Sequence, residues 1–256
     1  MRRPSRELMD DPGLGPAEHA AALRGLRRIN AVSGVVGTLW RELRVRAERK
    51  RAAGNGSVSA SGLRVVDVAC GGGDVAAGLN ARARRAGEEA AVLVDGCDVS
   101  ERALGVAREN WSLKRPVREE RGVGVGEPSF FVWDALSGEA LVDPKGNRYD
   151  VSICTLFLHH LETEQAAAVL RAMDAGCEGG GVVLDLRSGR WAWLVTWVGV
   201  RLLSRSRVVH YDGPASVRAG WTRAELEGAA RSAGLADFRV SRSFPLRWKL
   251  VWGAAA

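Results

Sequence analysis

Among 256 residues there are four cysteines, two tyrosines and four lysines, and each scarcity removes a class of protein. Cys70, Cys97, Cys154 and Cys177 have no metal-finger spacing. The first three fall at the ends of apolar runs, where a small buried thiol packs well, and all four read as reduced thiols of a cytoplasmic protein. Neither Tyr149 nor Tyr211 is followed four residues later by lysine, so the tyrosine–lysine pair of short-chain dehydrogenases is missing. No apolar run approaches the ~18 residues that a membrane span needs. Met1 to Pro16 is charged and holds three prolines, unlike a secretory leader. Positive charge is what the chain has in excess: +7 net, with a sequence pI near 9.8. Only Lys50, Lys114, Lys145 and Lys249 among 37 basic residues are lysine. The excess therefore reads as arginine-rich composition, not as a nucleic-acid footprint.

The pattern of the remainder divides the chain. Residues 1–15 are expected to be disordered, and residues 16–58 to form a helical N-terminal extension or lid. Its helices are placed at 17–29 and 36–52, the second ending in a basic run taken as a solvated face. Residues 53–62 read as a flexible joint. From 59 to 256 strands and helices alternate. Strands are placed at 63–69, 91–98, 129–133, 149–155 and 181–187, and helices at 74–86, 100–111 and 163–175. Ser100 and Thr163 are the expected N-caps, and 112–127 reads as a surface loop. The alternation predicts a Rossmann-like α/β fold, a mostly parallel seven-stranded sheet covered on both faces. Thr222 to Glu225 has the form of a capping box, Gly234 suits the end of the helix that follows, and a closing hairpin turns at Ser243–Pro245. Residues 190–218 form an insertion whose first part, 190–204, is a helix apolar on every side. Such a helix must be covered. Core packing is the first expectation; a substrate lid, a second subunit or peripheral contact with a membrane surface are the others.

Chemistry concentrates where strands end. Val65–Val68 runs into Ala69-Cys70-Gly71-Gly72-Gly73, a turn tight enough to admit a nucleotide. The next strand ends on Asp98, placed to grip a ribose. Gly71-Gly72-Gly73-Asp74-Val75-Ala76 satisfies a general dinucleotide pattern. Three features oppose a nicotinamide cofactor besides the missing tyrosine–lysine pair: the tail after the fifth strand has a helix and two final strands, some sixty residues precede the first strand, and Asp67 lies inside that first strand. A carboxylate there needs a partner, either a cationic ligand or the N–H groups of the loop.

These residues resemble the class I S-adenosylmethionine-dependent methyltransferases. Asp67 to Gly73 matches that family's acidic-x-G-x-G-x-G motif, with Ala69 in place of the first glycine. Trp133-Asp134-Ala135 resembles its third-strand motif, and Asp150 to Leu161 the fourth-strand motif of small-molecule members. The resemblance implies S-adenosylmethionine as cofactor and S-adenosylhomocysteine as product. It implies a cofactor site of Asp67, Ala69, Cys70, Gly71, Gly73, Asp98, Val99, Asp134, Ala135, Thr155 and Leu156. Leu184 to Arg187 and His210 to Arg218 are similar to a subgroup acting on hydroxyaromatic or polyketide-like metabolites, with Tyr211 where that subgroup often has histidine.

The implied reaction moves a methyl group to an oxygen or carbon of a small, largely apolar, hydroxyaromatic, quinone-like or polyketide-like acceptor. His159, His160 and His210 are the candidate bases. Arg187, Trp191, Tyr211 and Arg218 are the candidate acceptor contacts, although either arginine can instead pair with Asp185 or Asp212. No metal is expected, because no compact cluster of Asp, Asn and His lies outside the cofactor motifs. Nucleic-acid methylation is the first rival, weakened by the absence of any Pro-Pro or Pro-Cys pair. A non-catalytic protein that keeps the fold is another, and an NAD(P)-dependent dehydrogenase is the most remote.

Overall fold

The computed structural model describes residues 7–8, 11, 13–53, 62–87, 92–114 and 127–253. The short runs rich in Val, Leu and Ile form seven strands: β1 (Leu63–Val68), β2 (Val92–Asp98), β3 (Phe130–Val132), β4 (Val151–Thr155), β5 (Gly181–Leu186), β6 (Arg239–Ser243) and β7 (Arg247–Trp252). They make one sheet in the order β3-β2-β1-β4-β5-β7-β6. β1 to β5 are mutually parallel, and β7 runs antiparallel to β5 and β6. The expected architecture is therefore present. The order reverses between β1 and β4, and at such a switch point the carboxyl ends of the strands open a crevice for a ligand.

Two cores sandwich the sheet. One face carries α2 (Val35–Ala53), α3 (Asp74–Arg85) and α4 (Glu101–Lys114), whose Leu39, Leu43, Leu79 and Leu104 pack on Val65, Val94 and Ile153. The other carries α5 (Thr163–Ala175) and α8 (Arg223–Ser232), packed on Val66, Cys154 and Val183. The alternation of Val65 and Val66 between the two cores is the period of two that any strand imposes. A third, smaller cluster joins α1 (Pro16–Val32) to α6 (Arg190–Leu203) and α7 (Arg207–Ala219) through Ala22, Val200, Val208 and Val209.

Several expectations are corrected. α2 is not a lid but part of the body. Its basic face is not all solvated: Arg46 is buried, and its guanidinium donates to the carbonyls of Gly179 and, at 3.0 Å, Trp252. Lys50 donates to Asp150 at 2.7 Å. These bonds tie α2 to the far ends of β4 and β7. Glu162, not Thr163, precedes α5, and its N–H donates to Gln165 Oε1 at 3.0 Å. Ser100 does cap α4, accepting from Ala103 N–H at 3.2 Å. The Thr222–Glu225 capping box is present at α8. The start of the expected loop at 112–127, residues 112–114, lies in α4, and 115–126 falls outside the described residues.

The helix at 190–204 forms, but core packing does not cover it. Trp191 is 77% exposed and Leu202 79%, with Leu194, Val195 and Val198 exposed between them. Only Ala192 and Val200 of α6 are buried. Among the described residues no helix is long and apolar enough to cross a membrane. Of the N-terminal stretch expected to be disordered, Glu7 and Leu8 are held against α7. The Leu8 N–H donates to Asp212 Oδ1 at 2.7 Å, and the Ser216 hydroxyl donates to Glu7 Oε1.

Candidate functional site

The carboxyl ends of β1, β2, β4 and β5 meet along one edge, and the turns that leave them carry the chemistry. After β1 the backbone turns through Ala69 (φ 55°), Gly71 (φ 52°) and Gly73 (φ 68°). The two glycines serve different ends. A Cβ on Gly73 would stand 2.7 Å from Ala107 Cβ, so this glycine lets α4 pack against the turn. A Cβ on Gly71 would meet nothing within 4 Å, so this glycine keeps the crevice side of the turn clear. Asp98, at the end of β2, braces the turn. Its Oδ2 accepts from Gly71 N–H at 2.8 Å and its Oδ1 from Ser100 N–H at 2.9 Å.

Asp67 lies beneath the turn, 1% exposed. Neither of its oxygens makes a well-formed hydrogen bond among the described residues. Burial pushes its carboxyl up to about 8; the Ala76 backbone N–H opposes the shift without closing a bond. An ionised carboxylate here is costly until a cation or donor reaches it. The loop N–H groups do not supply that partner, so the cationic ligand is the alternative that fits.

Leu156, just after β4, also has φ 55°. A left-handed residue other than glycine costs roughly 1–2 kcal/mol, and such strain gathers at functional sites. Ala69 and Leu156 thus mark the two strand ends on either side of the switch point. Val99 is 67% exposed and Val132 56%, on either side of the paired ends of β2 and β3. Asp134 is exposed and Ala135 half-buried just beyond. One Asp134 oxygen already accepts from Leu136 N–H at 2.8 Å. Cys70 shows no sign of reactivity, since burial lifts its thiol far above the ordinary range.

The second half of the site follows β4 and β5. His159 is 3% exposed on a single 3-10 turn, Leu158–His160. Its Nδ1 lies 2.7 Å from Asp185 Oδ1, and its backbone N–H donates to Asp185 Oδ2 at 3.1 Å. Burial alone would hold the imidazole neutral. Asp185 and then Glu7 outweigh it and raise His159 to about 9. Burial alone would likewise raise Asp185, and His159 reverses that and holds it low. His159 is thus an anchored ring, not a base free to turn to a substrate. His160 stacks on it, with ring centroids 4.1 Å apart, and is half-buried.

The other expected contacts separate. His210 is not at this turn: its Nε2 lies 2.7 Å from Ser204 O, a bond that closes the end of α6. Arg187 does not pair with Asp185; its guanidinium lies 5.9 Å from the Trp248 ring. Tyr211 is 59% exposed. Trp191 and Arg218 do come together, lining a cavity of about 840 Å³ with Arg190, Trp193, Leu194 and Val217. No residue of the glycine turn lines it. Arg218 stacks 5.3 Å from the Trp193 ring, and the Trp193 indole N–H has no acceptor among the described residues. Reasoning from sequence missed Glu7 altogether, along with Arg190 and Trp193. Glu7 meets His159 and His160 only through the fold, and no spacing pattern reports a contact of that range.

Residues 65–181 match the family model described as "Methyltransferase domain". The ubiquinone biosynthesis O-methyltransferase of Methylococcus capsulatus is 32% identical over 181 residues, 69% of this chain and 65% of that protein. Its counterpart in Bordetella bronchiseptica is 31% identical over 183 residues, 69% and 64%. The chain thus spans just under two thirds of the length of these relatives. The chain carries a class I methyltransferase domain. Solved structures agree on the fold. An O-methyltransferase family 2 protein from Planctomyces limnophilus, in complex with apigenin, superposes with a TM-score of 0.57 at 14% identity, over 95% of this chain and 63% of that one. An O-methyltransferase family protein from Burkholderia thailandensis gives 0.50 at 16%, over 91% and 62%. The cofactor of this methyltransferase class is S-adenosylmethionine. The clear face of Gly71 and the unpartnered carboxylate of Asp67 fit a ligand of that kind, which carries an ammonium group.

Proposed function

We propose that the protein transfers a methyl group from S-adenosylmethionine to an oxygen of a small, flat, largely apolar acceptor of the hydroxyaromatic kind. The observation that carries the cofactor half is the buried Asp67 carboxylate beneath an open glycine turn. In this reading Asp67 takes the cofactor's ammonium, and the Gly71 backbone lies along its methionine part. Asp98 keeps lone pairs for the ribose hydroxyls. The exposed Val99 and Val132 offer apolar surface to the adenine, with Asp134 and Ala135 at its rim. Thr155 and the strained Leu156 stand where β4 meets the sulfonium. The cofactor brings its own electrophile, so the protein's part is to hold the nucleophile in line and exclude water. Orientation of that kind supplies on the order of 7–11 kcal/mol.

The cavity supports the acceptor class. Trp191, Trp193, Leu194 and Val217 give it flat apolar walls. Arg190, Arg218 and the unpaired Trp193 N–H offer donors to an oxygen or an anionic group. The exposed apolar face of α6 adjoins it, in keeping with an acceptor of low polarity. The loss of the acceptor's proton is assigned to His160, because His159 is anchored by Asp185 and His210 is engaged elsewhere. The basic helix α2 lends little to nucleic-acid methylation: Arg46 and Lys50 are bound internally, and Arg44 pairs with Glu48 at 3.3 Å.

Calorimetric titration with S-adenosylhomocysteine, with NADPH as control ligand, tests the reading. One-to-one binding of the homocysteine compound alone is expected, followed by methylation of phenols in a screen. Binding of NADPH alone would overturn it.

A further inference from the structure

The 3-10 turn after β4 holds more than a pair of histidines. Glu7 comes down from the N-terminal segment, and one ligand atom each of Glu7, His159 and His160 lie within 4.8 Å of one another. His159 Nε2 and Glu7 Oε1 are 3.8 Å apart. That is longer than a well-formed hydrogen bond, and the two groups attract one another as an ion pair. Two ligands about 2.0–2.1 Å from a shared tetrahedral ion stand ~3.4 Å apart, so the pair needs to close by only a few tenths of an ångström to hold one. Behind His159, Asp185 Oδ1 stands 2.7 Å from Nδ1 and is itself fully buried. A carboxylate in that position fixes the tautomer and aims Nε2 forward, as carboxylates do behind metal-bound histidines. Glu7 is also held in place, by the Ser216 hydroxyl and by the neighbouring Leu8 N–H to Asp212.

We infer that Glu7, His159 and His160 form a binding site for a divalent transition-metal ion of the zinc type, with Asp185 as the buried carboxylate behind it. The donor set argues for that class. Two imidazoles and one carboxylate suit zinc, cobalt or iron(II), whereas magnesium and calcium call for oxygen ligands throughout. Three protein ligands leave a four-coordinate ion one open position. The turn begins three residues after Thr155, which puts the ion close in the chain to the part of the edge given above to the methyl group. An acceptor hydroxyl bound there would lose its proton more readily, because a divalent cation lowers the pKa of an oxygen it holds. This role rests on the methyltransferase reading; the metal site itself does not. The ion would also fasten the N-terminal segment over the turn, since Glu7 is its only ligand from outside β4's turn.

The same groups have one rival arrangement, an imidazolium at His159 bridging Asp185 and Glu7 with no ion at all. Titration of tag-free, chelator-treated full-length protein with Co²⁺, followed by visible absorption, separates the two. One equivalent is expected, with the intense d–d bands of a four- or five-coordinate site and no thiolate charge-transfer band, and displacement by Zn²⁺. Glu7→Gln and His160→Ala should each weaken uptake at least tenfold, while calorimetry shows unchanged S-adenosylhomocysteine affinity. No stoichiometric uptake, or uptake equal in the parent protein and both variants, would overturn the site. Variant-sensitive uptake by a protein that fails to bind S-adenosylhomocysteine would support the site and remove only the reaction assigned to it.

Discussion

Asp98 reaches Gly71 across 27 positions of sequence, whereas Ser216 reaches Glu7 across 209. The first contact lies within one β–α–β unit, and its parts are set by two adjacent strand ends and the turn between them. The second gathers an N-terminal segment, a turn after β4, a buried strand carboxylate and a helix of the 190–218 insertion. In the proposed reading the cofactor half is therefore a property of the sheet, and the acceptor half a property of what is laid over it. Parallel strands hold the first half rigid regardless of ligand. The second depends on a small cluster, Ala22, Val200, Val208 and Val209, and on a few polar bonds. A division of this kind lets one cofactor site serve many acceptors, since the overlying elements can change without disturbing the glycine turn.

Substitutions can break either half separately. The largest effect is expected at Asp185→Ala. It removes the partner of a histidine 3% exposed, and breaking a buried pair costs about 3–5 kcal/mol. Denaturant unfolding should show that loss, and a change below ~1 kcal/mol would mean that the pair does not organise the acceptor half. Asp98→Ala acts on the other half. It deletes a charged hydrogen-bond partner worth about 1.5–3 kcal/mol, so S-adenosylhomocysteine should bind more than ~10-fold more weakly by calorimetry. An unchanged affinity would separate Asp98 from the cofactor.

Asp67 sharpens the comparison through pH. Its carboxyl is raised to about 8 in the folded protein, against about 3.9 in an unfolded chain. Between those values the folded state holds a proton that the unfolded state has lost, so this group makes stability fall as pH rises from ~4 to ~8. A ligand ammonium that pairs with the carboxylate must displace that proton. Cofactor affinity should accordingly rise with pH toward 8 and level off above it, with proton release visible in buffers of different ionisation heat. Asp67→Asn should flatten the dependence. A pH-independent affinity in the parent protein would mean that the ammonium lies elsewhere.

The same division explains what could be read from the chain. Strands, glycine turn, Asp67 and Asp98 announce themselves because local periodicity and neighbouring strand ends dictate them. α6 is legible as a helix, since Trp191, Leu194, Val195, Val198 and Leu202 follow its turn, but its partner is not. Periodicity states that a face is apolar and is silent on what covers it, which is why the expected core burial failed. His159 and His160 stand out as residue types, yet their roles depend on Asp185 and Glu7, and only the β4–β5 register and the packing of α7 bring those together. Arg46 misleads for a related reason. In a basic helical run it looks solvated, and only the approach to β5 and the end of β7 supply the carbonyls that bury it.

The smallest expected effect concerns the residue where this chain departs from the family's glycine pattern. Ala69 holds φ 55°, a conformation that costs a side-chain-bearing residue roughly 1–2 kcal/mol and glycine almost nothing. Ala69→Gly removes that strain but gives the unfolded chain more freedom, worth about 0.4–1 kcal/mol in the opposite direction. The net stabilisation should be about 0.5 kcal/mol, or roughly 1–2 °C in thermal midpoint for a chain of this size. Because the neighbouring Gly71 keeps its hydrogen bond to Asp98, cofactor affinity should change less than twofold. A destabilised variant would show that the Ala69 methyl packs well enough to outweigh its backbone strain. A variant more stable but weaker in S-adenosylhomocysteine binding would show that the strain holds the turn in its binding shape, and would make the first half of the site less independent of its ligand than the sheet alone implies.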